Sequence, residues 1–205
     1  MQVRPIVVGD FQVNCYVLWS EARQALVIDP GDDSESVIEV IERERLTVVA
    51  FLITHGHLDH VAALTALVKR YPAPIAMHPK DAAWAFTAAN TLPPYGAPTD
   101  PGAIKRQLSD GQNFEDGGLR YQVIATPGHS PGGVCYYFPD AGMVFTGDTL
   151  FAGSVGRTDF RGGDEALLHA SLGRLLRLPD ATLVYSGHGP KTTIGREKAS
   201  NPFIR

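Results

Sequence analysis

The sequence predicts a mixed α/β protein in which strands and helices interleave unevenly. Two observations carry this. Short β-branched or apolar runs that close on turn residues recur along the chain, and patterns with helical spacing separate only some of them. A strict alternation of strand and helix would have indicated a clean βαβ repeat, so its absence indicates mixed sheets. At 205 residues, with 44% apolar and 20% charged residues, the chain fits one domain spanning residues 1–205 with a substantial core.

The elements follow from local composition. Residues 2–8 and 13–19 are strand-like runs, and 25–28 is a third that stops at Asp29-Pro30-Gly31. Residues 33–45 open on acidic residues and Ser, as helices do, and lead to a strand over 48–53. Helical spacing over 60–70, a short strand at 75–77 and a helix over 80–89 come next. Residues 92–102, Leu-Pro-Pro-Tyr-Gly-Ala-Pro-Thr-Asp-Pro-Gly, hold too much Pro and Gly for either element and predict an ordered surface loop beside the site. Strands at 121–125, 134–138 and 143–145 precede a helix over 164–177, with Leu167, Leu168, Leu172, Leu175 and Leu176 along one side. A last strand covers 182–185.

Bulk composition excludes several classes. A net charge of −4 and a pI near 5.9 argue against a nucleic-acid binder, which carries a basic face. The first ten residues lack a long apolar stretch with a small-residue cleavage site, and no later run reaches the roughly 18 apolar residues of a membrane span. A cytoplasmic location without a membrane partner is therefore expected. Cys15 and Cys135 lie inside apolar runs and read as buried thiols, not as a disulfide or zinc ribbon.

One local pattern returns four times: an apolar run, a small or turn residue, Gly, then His or Asp. It reads Leu52-Ile53-Thr54-His55-Gly56-His57, Ile124-Ala125-Thr126-Pro127-Gly128-His129, Val144-Phe145-Thr146-Gly147-Asp148 and Val184-Tyr185-Ser186-Gly187-His188. Each strand would stop and deliver a metal-type ligand from its end, with Gly allowing a sharp turn and a close approach. If the strand ends converge, these residues meet.

His55-Gly56-His57-Leu58-Asp59-His60 places four possible ligands in six positions. Past a strand, alternation sends His55 and His57 the same way, while the turn into a helix lets Asp59 and His60 face a neighbouring centre. That register favours two ions side by side. Zinc and similar ions take imidazole and carboxylate, and a catalytic centre keeps a place for water, whereas structural zinc is usually closed by four ligands and often Cys-rich. With His129, Asp148 and His188 added, seven ligands serve two divalent ions if Asp148 bridges them. Two such ions, about 3.5 to 4 Å apart, can hold a hydroxide, and Asp59 is the candidate to orient it and take its proton. Zinc is the first choice, with iron and manganese open, because such ligand sets accept all three. His78 and His169 stay outside the set.

The run Thr54-His55-Gly56-His57-Leu58-Asp59-His60, followed in order by His129, Asp148 and His188, resembles the signature of the metallo-β-lactamase superfamily. The resemblance implies a four-layer αβ/βα sandwich with the metals at one edge of two sheets. It implies that His55, His57 and His129 hold one ion, Asp59, His60 and His188 the other, and that Asp148 bridges. Asp29 matches the superfamily's early strand-end Asp, which supports the ligands without ligating.

Within the superfamily, Thr146-Gly147-Asp148-Thr149-Leu150-Phe151, then Gly156-Arg157-Thr158-Asp159-Phe160, and the ending Asn201-Pro202-Phe203 resemble the glyoxalase II group. These hydroxyacylglutathione hydrolases cleave S-acyl-glutathione thioesters such as S-lactoylglutathione, so a small anionic thioester is the implied partner. Typical members carry a further C-terminal helical domain, and this chain is similar to the short bacterial type without it. Arg157 resembles the basic residue that contacts glutathione in the family. The tail adds Lys191, Arg196, Lys198 and Arg205 against Glu197, a balance of +3 that leaves −7 elsewhere. Lys191 and Arg196 therefore join Arg157 as candidate substrate contacts. Two alternatives stay open on the same fold: persulfide dioxygenases, which share the His cluster and a similar 156–160 segment but use one iron and oxygen, and lactonase or β-lactamase-type hydrolases.

Overall fold

The computed structural model describes residues 1–204; Arg205, counted above in the basic tail, lies outside them. The first half of the chain runs β1 (Gln2–Val8), β2 (Val13–Trp19), β3 (Gln24–Ile28), α1 (Ser34–Arg43), β4 (Thr47–Leu52), α2 (Leu58–Val61), α3 (Leu64–Arg70), β5 (Ile75–Met77), α4 (Pro79–Ala82) and β6 (Arg106–Gln107). Its six strands form one sheet in sequence order, antiparallel from β1 to β3 and parallel from β3 to β6. The second half runs β7 (Asn113–Asp116), β8 (Leu119–Ala125), β9 (Val134–Phe138), β10 (Met143–Gly147), β11 (Leu150–Phe151), β12 (Ser154–Val155), α5 (Glu165–Leu175), β13 (Leu183–Ser186), β14 (Thr192–Thr193) and α6 (Ile194–Ser200). Its six-stranded sheet has the order β14-β13-β10-β9-β8-β7, and β11 and β12 form a separate hairpin.

Alternation along the strands builds the layers. In β2 every residue is buried: Tyr16 and Leu18 point to the other sheet, while Cys15, Val17 and Trp19 point to the helices. Leu18, Leu26, Ile28 and Leu52 of the first sheet meet Tyr121, Tyr136, Phe138 and Phe145 of the second, with Phe145 stacked on Tyr185 at 5.0 Å. Outside the first sheet, Val17, Val27 and Phe51 pack with Val37 and Ile41 of α1 and Leu64 and Leu67 of α3. Outside the second, Cys135, Val144 and Val184 pack with Leu168, Leu172 and Leu175 of α5. Helix, sheet, sheet, helix is the four-layer order the family resemblance implied. Burying one such Leu or Phe is worth about 1.5–3 kcal/mol.

Several elements differ from their sequence reading. The helix expected over 60–70 is two, α2 and α3, because Ala63 N–H is drawn to the carbonyl of Pro30 at 3.1 Å and leaves the helical ladder. The one expected over 80–89 stops at Ala82 and continues as linked turns to Asn90, whose side-chain amide donates to Ala85 and Gly56 carbonyls at 2.6 and 2.8 Å. Of the five leucines expected along one side of α5, Leu168, Leu172 and Leu175 are buried, Leu176 is half-buried and Leu167 is exposed. The 92–102 loop is tied down by Tyr95, which packs on the Phe11 ring at 5.2 Å and hydrogen-bonds Asp10. Among the described residues no helix is long and apolar enough to cross a membrane.

Candidate metal centre

The strand ends do converge. β4 leads into Thr54 and His55, β8 into His129, β10 ends on Gly147 just before Asp148, and β13 runs through Gly187 to His188. β10 and β13 are parallel neighbours, and Gly187 N–H donates to the Gly147 carbonyl at 2.8 Å, which sets Asp148 beside His188. A Cβ at Gly187 would overlap Asp148 Oδ1 and stand 2.8 Å from the His60 ring, so this approach requires glycine.

The side chains fall into two triads around Asp148. His57 Nδ1 and His129 Nε2 lie 2.9 Å apart, and with His55 they present ligand atoms within 4.8 Å of one another. Asp59, His60 and His188 form a second group on the same criterion, and Asp29, His55 and His60 a third, in which Asp29 faces Nδ1 of His60 from behind. Asp148 lies between: Oδ1 is 3.4 Å from His60 Nε2, and Oδ2 is 3.4 Å from His188 Nε2 and 3.7 Å from His129 Nε2. Asp59 Oδ2 is 3.5 Å from His188 Nε2 and 3.8 Å from His60 Nε2.

The tautomers are fixed from behind. A carboxylate or carbonyl only accepts, so the nitrogen facing it must carry hydrogen. His60 Nδ1 donates to Asp29 Oδ2 at 3.0 Å, His129 Nδ1 to the Arg157 carbonyl at 2.8 Å, and His188 Nδ1 to the Phe11 carbonyl at 3.0 Å. Thr54 hydroxyl donates to Asp29 Oδ2 at 2.6 Å, leaving its oxygen to accept from His55 Nδ1 at 3.0 Å. In the neutral form that a metal would bind, four histidines thus aim an Nε2 lone pair inward, as metal-binding imidazoles do. Asp29, buried, backs the His60 ring directly and the His55 ring through the Thr54 hydroxyl, and it also accepts the Thr54 N–H at 2.8 Å.

Charge divides the triads. Burial, reinforced by His129 and His60, pushes His57 down to about 3, and burial with His60 holds His55 well below the usual imidazole range. Burial also opposes charge on His188, but Asp148 and Asp59 outweigh it and lift the group to about 9, and Asp148 and Asp59 likewise lift His60. Despite its burial, Asp148 is held well below the carboxylate range by His60 and His188.

Three buried atoms, His55 Nε2, His60 Nε2 and Asp148 Oδ1, have no hydrogen-bond partner. Leaving such groups unpaired is costly, and all three converge where cations would sit. The donor set therefore fits divalent metal: imidazole nitrogens, two carboxylates and no thiolate.

The triads open into a cavity of about 890 Å³ walled by Phe11, Trp84, Leu92, Phe151, Val155 and Phe160. Trp84 and Phe160 flank the His57 ring at 5.4 and 5.5 Å. Arg157 reaches this cavity, but its guanidinium is held by both Asp159 oxygens at 2.6 and 2.7 Å and lies 4.0 Å over Phe160. Lys191 and Arg196 are not brought there: Glu197, buried, accepts from Gly153 N–H at 2.8 Å and turns the tail so that both basic side chains stay in solvent. Arg161, which the sequence reading passed over, does line the cavity and makes no ion pair among the described residues. Asp81 was also missed. It lay in an apparent helix, and nothing local marks the three hydrogen bonds it accepts.

This geometry defines a metallohydrolase-type centre at the edge of an αβ/βα sandwich. A family model described as the metallo-beta-lactamase superfamily matches residues 8–188, and the chain belongs to that superfamily. The probable metallo-hydrolase YqgX of Bacillus subtilis is 37% identical over 209 residues, covering 100% of this chain and 98% of the relative. Hydroxyacylglutathione hydrolase GloC of Haemophilus influenzae is 36% identical over 208 residues, covering 100% and 98%. Among solved structures, the B3 metallo-beta-lactamase BLEG-1 superposes with a TM-score of 0.94 at 40% identity over 99% of both chains. TTHA1623 in a di-iron-bound form gives 0.89 at 41% identity over 98% of this chain and 100% of that one. ETHE1 from Myxococcus xanthus gives 0.79 at 33% over 98% and 84%.

Proposed function

We propose that the chain is a binuclear metallohydrolase that cleaves S-acyl-glutathione thioesters such as S-lactoylglutathione. The observation that carries this is the pair of triads, His55/His57/His129 and Asp59/His60/His188, sharing Asp148 at the floor of one open cavity. Two divalent ions there, zinc first, would supply an acidified water as nucleophile and a Lewis acid for the acyl oxygen. The remaining work falls to the chain. Asp59 is placed to orient the nucleophile and hold its proton, and Trp84 and Phe160 shield the reacting centre from bulk water. Arg157 and Arg161 give the cavity its positive side, suited to the carboxylates of glutathione. The similarity to GloC along the whole chain supports the thioester assignment. Similarity to ETHE1 and to a di-iron-bound relative favours a second reading, iron-dependent persulfide oxygenation.

Metal analysis of the purified protein decides between them when paired, on one batch, with assays of S-lactoylglutathione hydrolysis, cephalosporin hydrolysis and persulfide-dependent oxygen uptake. Two ions per chain with thioester hydrolysis dominant is the expected outcome. One iron with oxygen uptake, or lactam hydrolysis without thioester hydrolysis, overturns the reading.

A further inference from the structure

We propose that Asp81 is a positioning residue for the first half-site, clamping the loops that carry His55, His57 and His129. This rests on the two-ion reading above. Asp81 lies in α4, is fully buried, and has no ion-pair partner among the described residues. A buried carboxylate without a countercharge is costly unless donors are aimed at it. Three are: Gly56 N–H at 2.9 Å, Ser130 O–H at 2.6 Å and Gly132 N–H at 2.6 Å.

Every donor belongs to a ligand-bearing loop. Gly56 separates His55 from His57, and Ser130 and Gly132 follow His129. The close approach is built in, since a Cβ on Gly132 would stand 2.7 Å from Asp81 Oδ1 and one on Gly56 would stand 3.2 Å from Asp81 Cβ. The Gly56 peptide is held at its other end too, where its carbonyl accepts from Asn90 at 2.8 Å. One carboxylate thus ties together two loops 72 residues apart in sequence, and His57 Nδ1 and His129 Nε2 arrive 2.9 Å from each other. Asp81 makes no hydrogen bond or ion pair with Asp59, His60 or His188. Its influence therefore belongs to one ion and not to both.

Zinc affinities measured by chelator competition on the parent, Asp81→Asn, His188→Ala and the double variant test this. The Asn side chain cannot accept from all three donors, so Asp81→Asn should weaken one ion by roughly ten- to hundredfold and leave the other as in the parent. The double variant should hold neither tightly, because the two losses fall on different ions. If Asp81→Asn binds both ions as the parent does, or the double variant keeps one ion as tightly as His188→Ala, the proposal is wrong. Ser130→Ala removes one donor and leaves the carboxylate in place, so it decides the matter if Asp81→Asn does not fold. It should weaken the same ion by a smaller factor, and no change overturns the proposal. A parent that binds no ion overturns the two-ion reading and this inference together, whereas two ions with unaffected variants overturns this inference alone.

Discussion

Asp29→Asn tests how the ligand tautomers are set. Asp29 has φ of 49°, in the left-handed region that Asn adopts readily, so the substitution preserves backbone and volume. What changes is one acceptor. Oδ2 receives His60 Nδ1–H at 3.0 Å and the Thr54 hydroxyl at 2.6 Å, while Oδ1 receives Thr54 N–H at 2.8 Å. In the variant the amide oxygen keeps the Thr54 N–H, which places the NH2 group against His60 Nδ1. A donor there moves the ring hydrogen to Nε2, the atom 3.4 Å from Asp148 Oδ1 that has no other partner. A protonated Nε2 cannot ligate. Changes to such supporting partners typically weaken metal binding by about ten- to hundredfold, or about 1.4–2.8 kcal/mol at 1.4 kcal/mol per decade. The assay is chelator competition on parent and variant, with far-UV circular dichroism to show the fold intact. One tight ion retained and one weakened is expected. Two ions at parental affinity in a folded variant would refute the tautomer argument.

Five further outcomes follow from the same geometry. Below about pH 9 His188 is protonated in the metal-free chain, so affinity for the second ion should rise up to tenfold per pH unit and level off near pH 9, as measured by chelator competition across pH. The same raised group stabilises the metal-free fold fully below the ordinary imidazole value of about 6.5, and that contribution is lost as pH rises through about 9, which thermal melts against pH would show. Asp59→Asn should lower kcat far more than it raises KM for the thioester, because Asp59 is placed to act on the nucleophile; a near-parental kcat removes it from the chemistry. Arg161→Ala should raise KM for S-lactoylglutathione more than Arg157→Ala, since Asp159 already occupies the Arg157 guanidinium, and a neutral thioester should register neither change. Phe145→Ala, which empties a fully buried site against Tyr16, Phe138 and Tyr185, should cost about 3–5 kcal/mol in denaturant unfolding.

The clustered His and Asp residues were legible because their signal is local. A strand, a glycine and a ligand in succession state both the chemistry and the turn that delivers it, and the four repeats at 55, 129, 148 and 188 needed only to converge. Residues that hold those ligands were not legible, apart from Asp29, which resemblance supplied. Asp81, Asn90, Asn14 and Tyr16 have long-range partners 25 to 175 residues away, and their short-range surroundings look like any helix or strand. The short edge strands β6 and β7 escaped for a related reason. They are polar and gain their pairing from neighbours, with Arg106 on Asp116 at 2.5 Å joining one sheet edge to the other. The basic tail misled because net charge says nothing about direction. Burial of Ile194 and Glu197 fixes which side of α6 faces inward, and Arg196 is left outside.

The division of charge between the triads bears on how the centre assembles. His55 and His57 are held low by burial and by the neighbouring His60 and His129, so the first half-site offers lone pairs at neutral pH without first releasing protons. His60 and His188 are held protonated by Asp59 and Asp148, so the second half-site already contains positive charge where its ion must sit. An ion held there by Asp59, His60 and His188 would have to displace those protons, and the carboxylates that favour the protons would then favour the ion. If each half-site takes an ion, as proposed, the two should differ in apparent affinity at neutral pH although both rest on histidines. Asp148 lies between them, 3.4 Å from His60 Nε2 and His188 Nε2 and 3.7 Å from His129 Nε2.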